Sequence, residues 1–129
     1  MSIKAKFGTT EDLVSTIEWT DIIDVSQLDS IEQESKSVPV LIFKYSTRCN
    51  LSTCMLKKFE KKFDYEEGSV KPYFLDIRAF RNISDEIAIR YGIAHQSPQI
   101  ILLKDRRAIY YANHDNIKFE DFKERLGNL

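Results

Sequence analysis

This chain of 129 residues lacks several features that would direct it to a particular cellular site. No apolar run approaches the roughly 20 residues that a membrane span needs, so we expect no membrane partner. The net charge of −1 gives no general attraction to polyanions, and we expect no nucleic-acid partner. Residues 1–7 lack the apolar stretch of a signal peptide, which leads us to expect a cytoplasmic protein.

Cysteine is also scarce, since the chain has only Cys49 and Cys54. The C-x-x-C spacing of redox dithiols is absent. In a reducing compartment, two cysteines are more often thiols than a structural disulfide. A zinc site built from these two and the two histidines is weakly signalled, because one of the cysteines falls in an apolar helical stripe. We therefore expect no metal and no cofactor.

Strand-like and helix-like segments alternate along the chain. The predicted strands lie within 17–25 and at 38–45, 72–77, 99–103 and 107–112. The predicted helices lie at about 27–36, 50–66, 84–91 and 119–126. Two βαβ crossovers require parallel strands, and the final hairpin adds antiparallel ones. The order predicts an α/β, thioredoxin-like fold: a single domain over residues 1–129, with a mixed central sheet flanked by helices and residues 1–12 loosely held.

Local signals predict where the helices begin and end. Ser26 and Ser84 are expected N-caps, because serine hydroxyls accept hydrogen bonds from the unpaired N–H groups of a first turn. Gly68, Gly92 and Gly127 are expected to end the three helices that precede them.

Cys49 lies where the apolar strand 38–45 gives way to the longest helix. A thiol at a helix start meets unpaired N–H groups and the positive end of the helix dipole, which both favour the reactive thiolate. Arg48 adds positive charge, and the polar residues around Cys49 fit an exposed turn. We therefore expect Cys49 to be a nucleophile. The alternative is a small apolar side chain that fills a gap in the core.

Cys54 has a different pattern around it. It falls in an apolar helical stripe with Leu51, Met55, Phe59 and Phe63, which favours a buried core thiol. Positions five apart on a regular helix are roughly 8.6 Å apart between Cα atoms, whereas a disulfide needs less than about 7 Å. Cys54 can therefore act as a resolving cysteine only if the first turn opens.

Ser97-Pro98 precedes another apolar strand. We expect the peptide bond there to be cis, with the Ser97 backbone turned towards Cys49. A disulfide-bearing chain could then pair with that backbone as an added strand. The alternative is a trans proline at the first residue of a strand.

Three further side chains are candidates for the site. His95 and His114 can each hydrogen-bond a thiolate or protonate a leaving thiol, although each alone is more simply an exposed loop histidine. Lys44 interrupts an apolar strand, so it either extends to solvent or supplies positive charge near the thiol. The following lysines are interpreted as a solvated helix face: Lys57, Lys58, Lys61 and Lys62.

Two segments resemble the YtxJ-like monothiol bacilliredoxins, a branch of the thioredoxin superfamily. Residues 43–52 read Phe-Lys-Tyr-Ser-Thr-Arg-Cys-Asn-Leu-Ser, where the family usually has Phe-Lys-His-Ser-Thr-x-Cys-Pro-Ile-Ser. Residues 95–99 read His-Gln-Ser-Pro-Gln and resemble the family's His-x-Ser-Pro-Gln. Tyr45 thus stands in place of a histidine, and Asn50 in place of a proline.

The resemblance implies a thiol–disulfide oxidoreductase with the nucleophile Cys49. Its substrates would be S-thiolated proteins that carry a low-molecular-weight thiol such as bacillithiol, and a second thiol or a reductase would regenerate it. Substrate contacts are expected from Lys44, Arg48, His95, Ser97, Pro98 and His114. Two alternatives stay open: a non-catalytic interaction module with an inert thiol, and a redox sensor whose cysteine forms a sulfenic acid.

Overall fold

The computed structural model describes residues 17–129, and the expected loose segment at 1–12 lies outside them. The strands are β1 (Thr20–Asp21), β2 (Val40–Tyr45), β3 (Lys71–Asp76), β4 (Gln99–Lys104) and β5 (Arg107–Asn113). The helices are α1 (Gln27–Glu34), α2 (Asn50–Lys62), α3 (Arg81–Tyr91) and α4 (Phe119–Gly127), and a 3-10 turn (His114–Asn116) precedes α4. No helix of residues 17–129 is long and apolar enough to cross a membrane.

The strands form one mixed sheet in the order β1-β3-β2-β4-β5. β1, β3 and β2 are parallel, while β4 runs antiparallel to both β2 and β5. β2 lies at the centre, and all six of its residues are buried. The predicted thioredoxin-like α/β fold is confirmed, and the central strand delivers the chain to Cys49 at its carboxyl end.

Alternate residues of β2 serve two cores, because successive side chains of a strand point to opposite faces. Leu41 and Phe43 pack in an aromatic core with α2 and α4. Val40 and Ile42 pack in an aliphatic core with α1 and α3. In the aromatic core Phe59 lies 5.3 Å from Phe122 between ring centroids, which joins α2 to α4.

The predicted end of α2 at residue 66 is wrong. The helix stops at Lys62, and Phe63 adopts an extended backbone with φ −70° and ψ 116°. Phe63 is buried with its ring against Tyr65 and Phe119. Continuing the helix would carry Tyr65 out of this cluster, so aromatic packing ends the helix before Gly68.

The two predicted N-caps have different outcomes. Ser84 is not an N-cap, because α3 begins at Arg81 and Ser84 lies fully buried inside it. Ser26 occupies the N-cap position of α1, as predicted, but its side chain forms no capping bond. Gln27 Oε1 instead accepts hydrogen bonds from the N–H groups of Ile23 and Asp24. Gly92 ends α3 in the left-handed region with φ 65°, as predicted. Gly127 is the last residue of α4 rather than the residue after it.

Candidate active site

Cys49 is the residue at which α2 begins. It has an extended backbone with φ −106° and ψ 111°, and its carbonyl accepts the first hydrogen bond of the helix from the Ser52 N–H at 3.0 Å. The turn from β2 is closed by the Cys49 N–H, which donates to the Ser46 carbonyl at 3.1 Å. Cys49 is a free, partly exposed thiol. An external disulfide can therefore reach it.

The Cys49 sulfur is stabilised in its charged form. Its pKa lies below the ordinary value, chiefly because the backbone N–H of Ser52 hydrogen-bonds the sulfur. The Ser52 side chain and the Leu51 N–H act in the same direction, whereas partial burial opposes them. A lowered thiol pKa increases the thiolate fraction near neutral pH, and the thiolate is the attacking species.

Ser52 is a candidate site residue that the sequence did not single out. It is completely buried, and its hydroxyl accepts a hydrogen bond from the Ser46 N–H at 3.3 Å. The same hydroxyl lies 3.4 Å from the Ser97 hydroxyl. Ser52 therefore connects the start of α2 to the loop before β4. The available signal was a serine three residues after Cys49, where a helix facing the core would carry an apolar residue.

The loop before β4 is anchored on two sides. The Ser97–Pro98 peptide bond is cis. The Pro98 carbonyl accepts a hydrogen bond from the His114 N–H at 2.8 Å. The buried Gln99 donates from Nε2 to the Ala94 carbonyl at 3.1 Å and to Asn113 Oδ1 at 2.8 Å. His114 thus reaches the site through its backbone.

Cys54 does not lie in the buried stripe where the sequence placed it. Its side chain is exposed. The buried face of α2 consists of Ser52, Met55, Leu56, Phe59 and Glu60. The two polar members of that face have partners from other elements, and Glu60 accepts a hydrogen bond from Trp19 Nε1 at 2.7 Å. These partners turn the helix so that Cys54 faces solvent.

Lys44 does not extend to solvent. It is fully buried in β2, and its ammonium donates to the Ser84 carbonyl at 3.3 Å. Burial lowers the pKa of Lys44 to about 8, with Asp85 opposing and Arg81 reinforcing that change. The Ser84 hydroxyl lies 2.8 Å from His95 Nδ1, so a residue predicted as a helix cap instead connects two candidate site residues.

The rim beside Cys49 is basic. The Arg48 backbone N–H donates to Ser46 Oγ at 3.3 Å, and the Arg48 side chain is exposed. Arg78, which the sequence did not single out, donates from Nη1 to Thr47 Oγ1 at 3.4 Å. The lysine face of α2 is exposed as predicted, and Lys62 forms an ion pair with Glu120 at 2.6 Å.

The two positions that depart from the family pattern have different surroundings. Tyr45 is buried, and its hydroxyl lies 2.9 Å from Thr53 Oγ1, which ties β2 to the first turn of α2. Asn50 is exposed and is the first residue of α2. Within residues 17–129, no cluster of three His, Cys, Asp or Glu side chains is placed to hold a metal ion.

The start of α2 thus carries a partly exposed thiol and contacts the cis-proline loop through Ser52 and Ser97. Residues 20–122 match the family described as monothiol bacilliredoxin BrxC. The chain belongs to the monothiol bacilliredoxin family. The resemblance seen at residues 43–52 and 95–99 is therefore confirmed, and the protein is a thiol–disulfide oxidoreductase.

Solved structures agree on the fold. A protein with a thioredoxin fold matches with a TM-score of 0.71 at 22% identity, over 81% of this chain and 90% of the other. The thioredoxin of Malassezia sympodialis matches with a TM-score of 0.68 at 17% identity, over 89% and 93% of the two chains. The thioredoxin of Trypanosoma brucei brucei matches with a TM-score of 0.67 at 17% identity, over 85% and 88%.

Proposed function

We propose that this protein removes a low-molecular-weight thiol, such as bacillithiol, from protein cysteines. The observation that carries the proposal is the Cys49 thiol, which is partly exposed and has its pKa lowered by the Ser52 N–H. Membership of the monothiol bacilliredoxin family supports the same chemistry. Because free thiols such as Cys49 are kept reduced in the cytosol, we also propose that the protein works in the cytoplasm.

The reaction is a thiol–disulfide exchange at one sulfur. The Cys49 thiolate attacks the small-thiol sulfur of the mixed disulfide, and a bond forms between these two sulfurs. The bond between the small thiol and the substrate cysteine breaks, and the electron pair leaves on the substrate sulfur as a thiolate. Water or a nearby acid protonates that thiolate. The substrate is reduced, and Cys49 now carries the small thiol.

The substrate chain is proposed to lie along the loop before β4. Ser97 lies within 3.4 Å of Ser52, beside the start of α2, so its backbone can pair with an extended chain that presents its disulfide to Cys49. Pro98 carries no N–H, and its carbonyl is occupied by His114. The exposed Arg48 is proposed to attract acidic groups on the small thiol or on the substrate.

Regeneration needs a second thiol or a reductase, which attacks the sulfur on Cys49 and releases the small thiol. Cys54 is a second candidate for this step, because it is exposed and lies on the same helix. In that route Cys54 would attack Cys49, form an internal disulfide and release the small thiol. The two cysteines are five positions apart, so the first turn of α2 would have to open.

The decisive experiment uses a protein capped with bacillithiol on a single cysteine. Wild-type protein should release the cap and gain the mass of one small thiol, and that adduct should map to Cys49. Cys49→Ser should lose all turnover, while the matched variant Cys54→Ser should keep most of it. Full turnover by Cys49→Ser would refute the proposal. A mass loss of 2 Da without an adduct would replace the monothiol route with the Cys54 route.

A further inference from the structure

A buried cation lies behind the loop that carries Ser97. Lys44 pairs with Gln99 in the register between β2 and β4, and the side chains of both are fully buried. The Lys44 ammonium donates to the Ser84 carbonyl. No carboxylate of the described residues lies within 4.0 Å of it. Because a buried charge without a carboxylate partner destabilises a fold, stability does not explain why a lysine occupies this position.

Ser84 brings this cation and His95 together. Its carbonyl faces Lys44, and its hydroxyl lies 2.8 Å from His95 Nδ1. Within residues 17–129 the Ser84 hydroxyl has no other hydrogen-bond partner. A buried hydroxyl must place its hydrogen on an acceptor, so Ser84 donates to Nδ1. The proton of the neutral imidazole then lies on Nε2.

The charges around His95 come from β2 and α3. Burial is the largest cause that lowers the pKa of His95, followed by Lys44 and Arg81, and Asp85 opposes them. His95 is half-buried, so one edge of its ring can meet solvent or substrate. These surroundings favour the neutral ring, with Nδ1 held by Ser84 and a donor at Nε2.

We propose that Lys44 and Ser84 are positioning residues for His95, which they hold neutral and oriented so that its Nε2–H can donate a hydrogen bond to the sulfur atoms exchanging beside Ser97. This inference rests on the proposed exchange at Cys49. It adds no covalent step, because the imidazole donates a hydrogen bond to the developing thiolate and keeps its proton. Ser97 lies two residues after His95, which places the ring on the loop along which the substrate is proposed to bind.

The chain has two histidines, so imidazole NMR spectra of the full-length protein labelled with ¹⁵N are simple to assign. His95 in the wild type should be the Nε2–H tautomer. Lys44→Met should shift the His95 titration to higher pH, and the control Lys58→Met, which changes an exposed lysine, should not shift it. Ser84→Ala should lower the Nε2–H fraction of His95 towards that of a free imidazole and keep the charge of Lys44. An Nδ1–H tautomer in the wild type, or an unchanged His95 titration in Lys44→Met, would overturn the proposal.

Measurements of catalytic activity distinguish a failure of this inference from a failure of the proposed function. In Lys44→Met, the pH profile of kcat/KM should acquire a step at the raised His95 pKa measured by NMR, and wild type should show that step at lower pH. If wild type removes the cap but the two pH profiles coincide, the role of Lys44 is refuted and the proposed function stands. If no capped substrate is turned over while the NMR results hold, the proposed function fails and the geometry of the network remains.

Discussion

The burial of Lys44 predicts a pH-dependent stability that can be measured directly. Its pKa falls from 10.5 to about 8 in the folded protein. At 1.36 kcal/mol per pH unit, keeping this lysine charged lowers the free energy of unfolding by about 3 kcal/mol at pH 7. The folded-state pKa is the lower one, so between pH 8 and 10.5 the unfolded chain binds more protons. Stability from this group therefore rises with pH across that window.

The comparison of wild type with Lys44→Met measures this contribution above pH 7, because the ionisations other than that of His95 are common to both proteins. Methionine removes the charge and also the hydrogen bond to the Ser84 carbonyl, which is worth about 1 kcal/mol. We expect Lys44→Met to be more stable than wild type by about 2 kcal/mol at pH 7. From pH 7 to 9.5 the wild type should gain about 2 kcal/mol relative to the variant.

Urea denaturation at half-unit pH steps measures this difference. The matched control is Lys58→Met, which changes an exposed lysine of α2 and should show no pH-dependent difference from wild type. A difference between wild type and Lys44→Met that stays flat from pH 7 to 9.5 would refute the reasoning. The ammonium would then be solvated despite its complete burial.

Three other substitutions test separate parts of the structure. Ser52→Ala removes a hydroxyl that favours the Cys49 thiolate, so the pKa of the Cys49 thiol should rise. The rate of alkylation as a function of pH, in a Cys54→Ser background, measures this pKa. An unchanged midpoint of that pH profile would contradict the role of the hydroxyl. Trp19→Phe removes the donor to the buried Glu60 carboxylate and should lower the free energy of unfolding, measured by urea denaturation, by about 1–3 kcal/mol. A change near zero would contradict the importance of this hydrogen bond. Gly92→Ala places a side chain at a residue with φ 65° and should lower the free energy of unfolding by about 1 kcal/mol. Gly127 has no positive φ, so Gly127→Ala should have little effect on that free energy. Equal effects of the two substitutions would contradict the explanation from backbone conformation.

Most of the fold could be predicted because the strands and helices carry clear hydrophobic periods. Apart from Lys44, the central strand is apolar on both faces, which is the pattern of a strand covered by two layers. The end of α3 at Gly92 could be predicted because glycine locally favours the left-handed conformation found there. The end of α2 could not be predicted, because it depends on the contact of Phe63 with Phe119, which lies far along the chain.

The exposure of Cys54 shows how a helical face can be misjudged. Hydrophobicity alone assigned it to the stripe with Met55 and Phe59. The helix instead buries Ser52 and Glu60, because their polar groups bond to residues distant in sequence. A pattern of apolar residues cannot report such bonds, so Cys54 was assigned to the buried face, whereas Ser52 and Glu60 were not.

Buried polar residues carry information that the apolar pattern hides. Seven are buried among the described residues: Ser35, Lys44, Ser46, Ser52, Glu60, Ser84 and Gln99. Five of these lie around Cys49, His95 or Pro98, and the other two, Ser35 and Glu60, bond to Arg106 and Trp19 elsewhere. An apolar side chain at each of the five positions would avoid the desolvation of a polar group. Their hydrogen bonds fix the loop and the start of α2 against each other, which is the arrangement that the proposed exchange at Cys49 requires and that core stability alone does not explain.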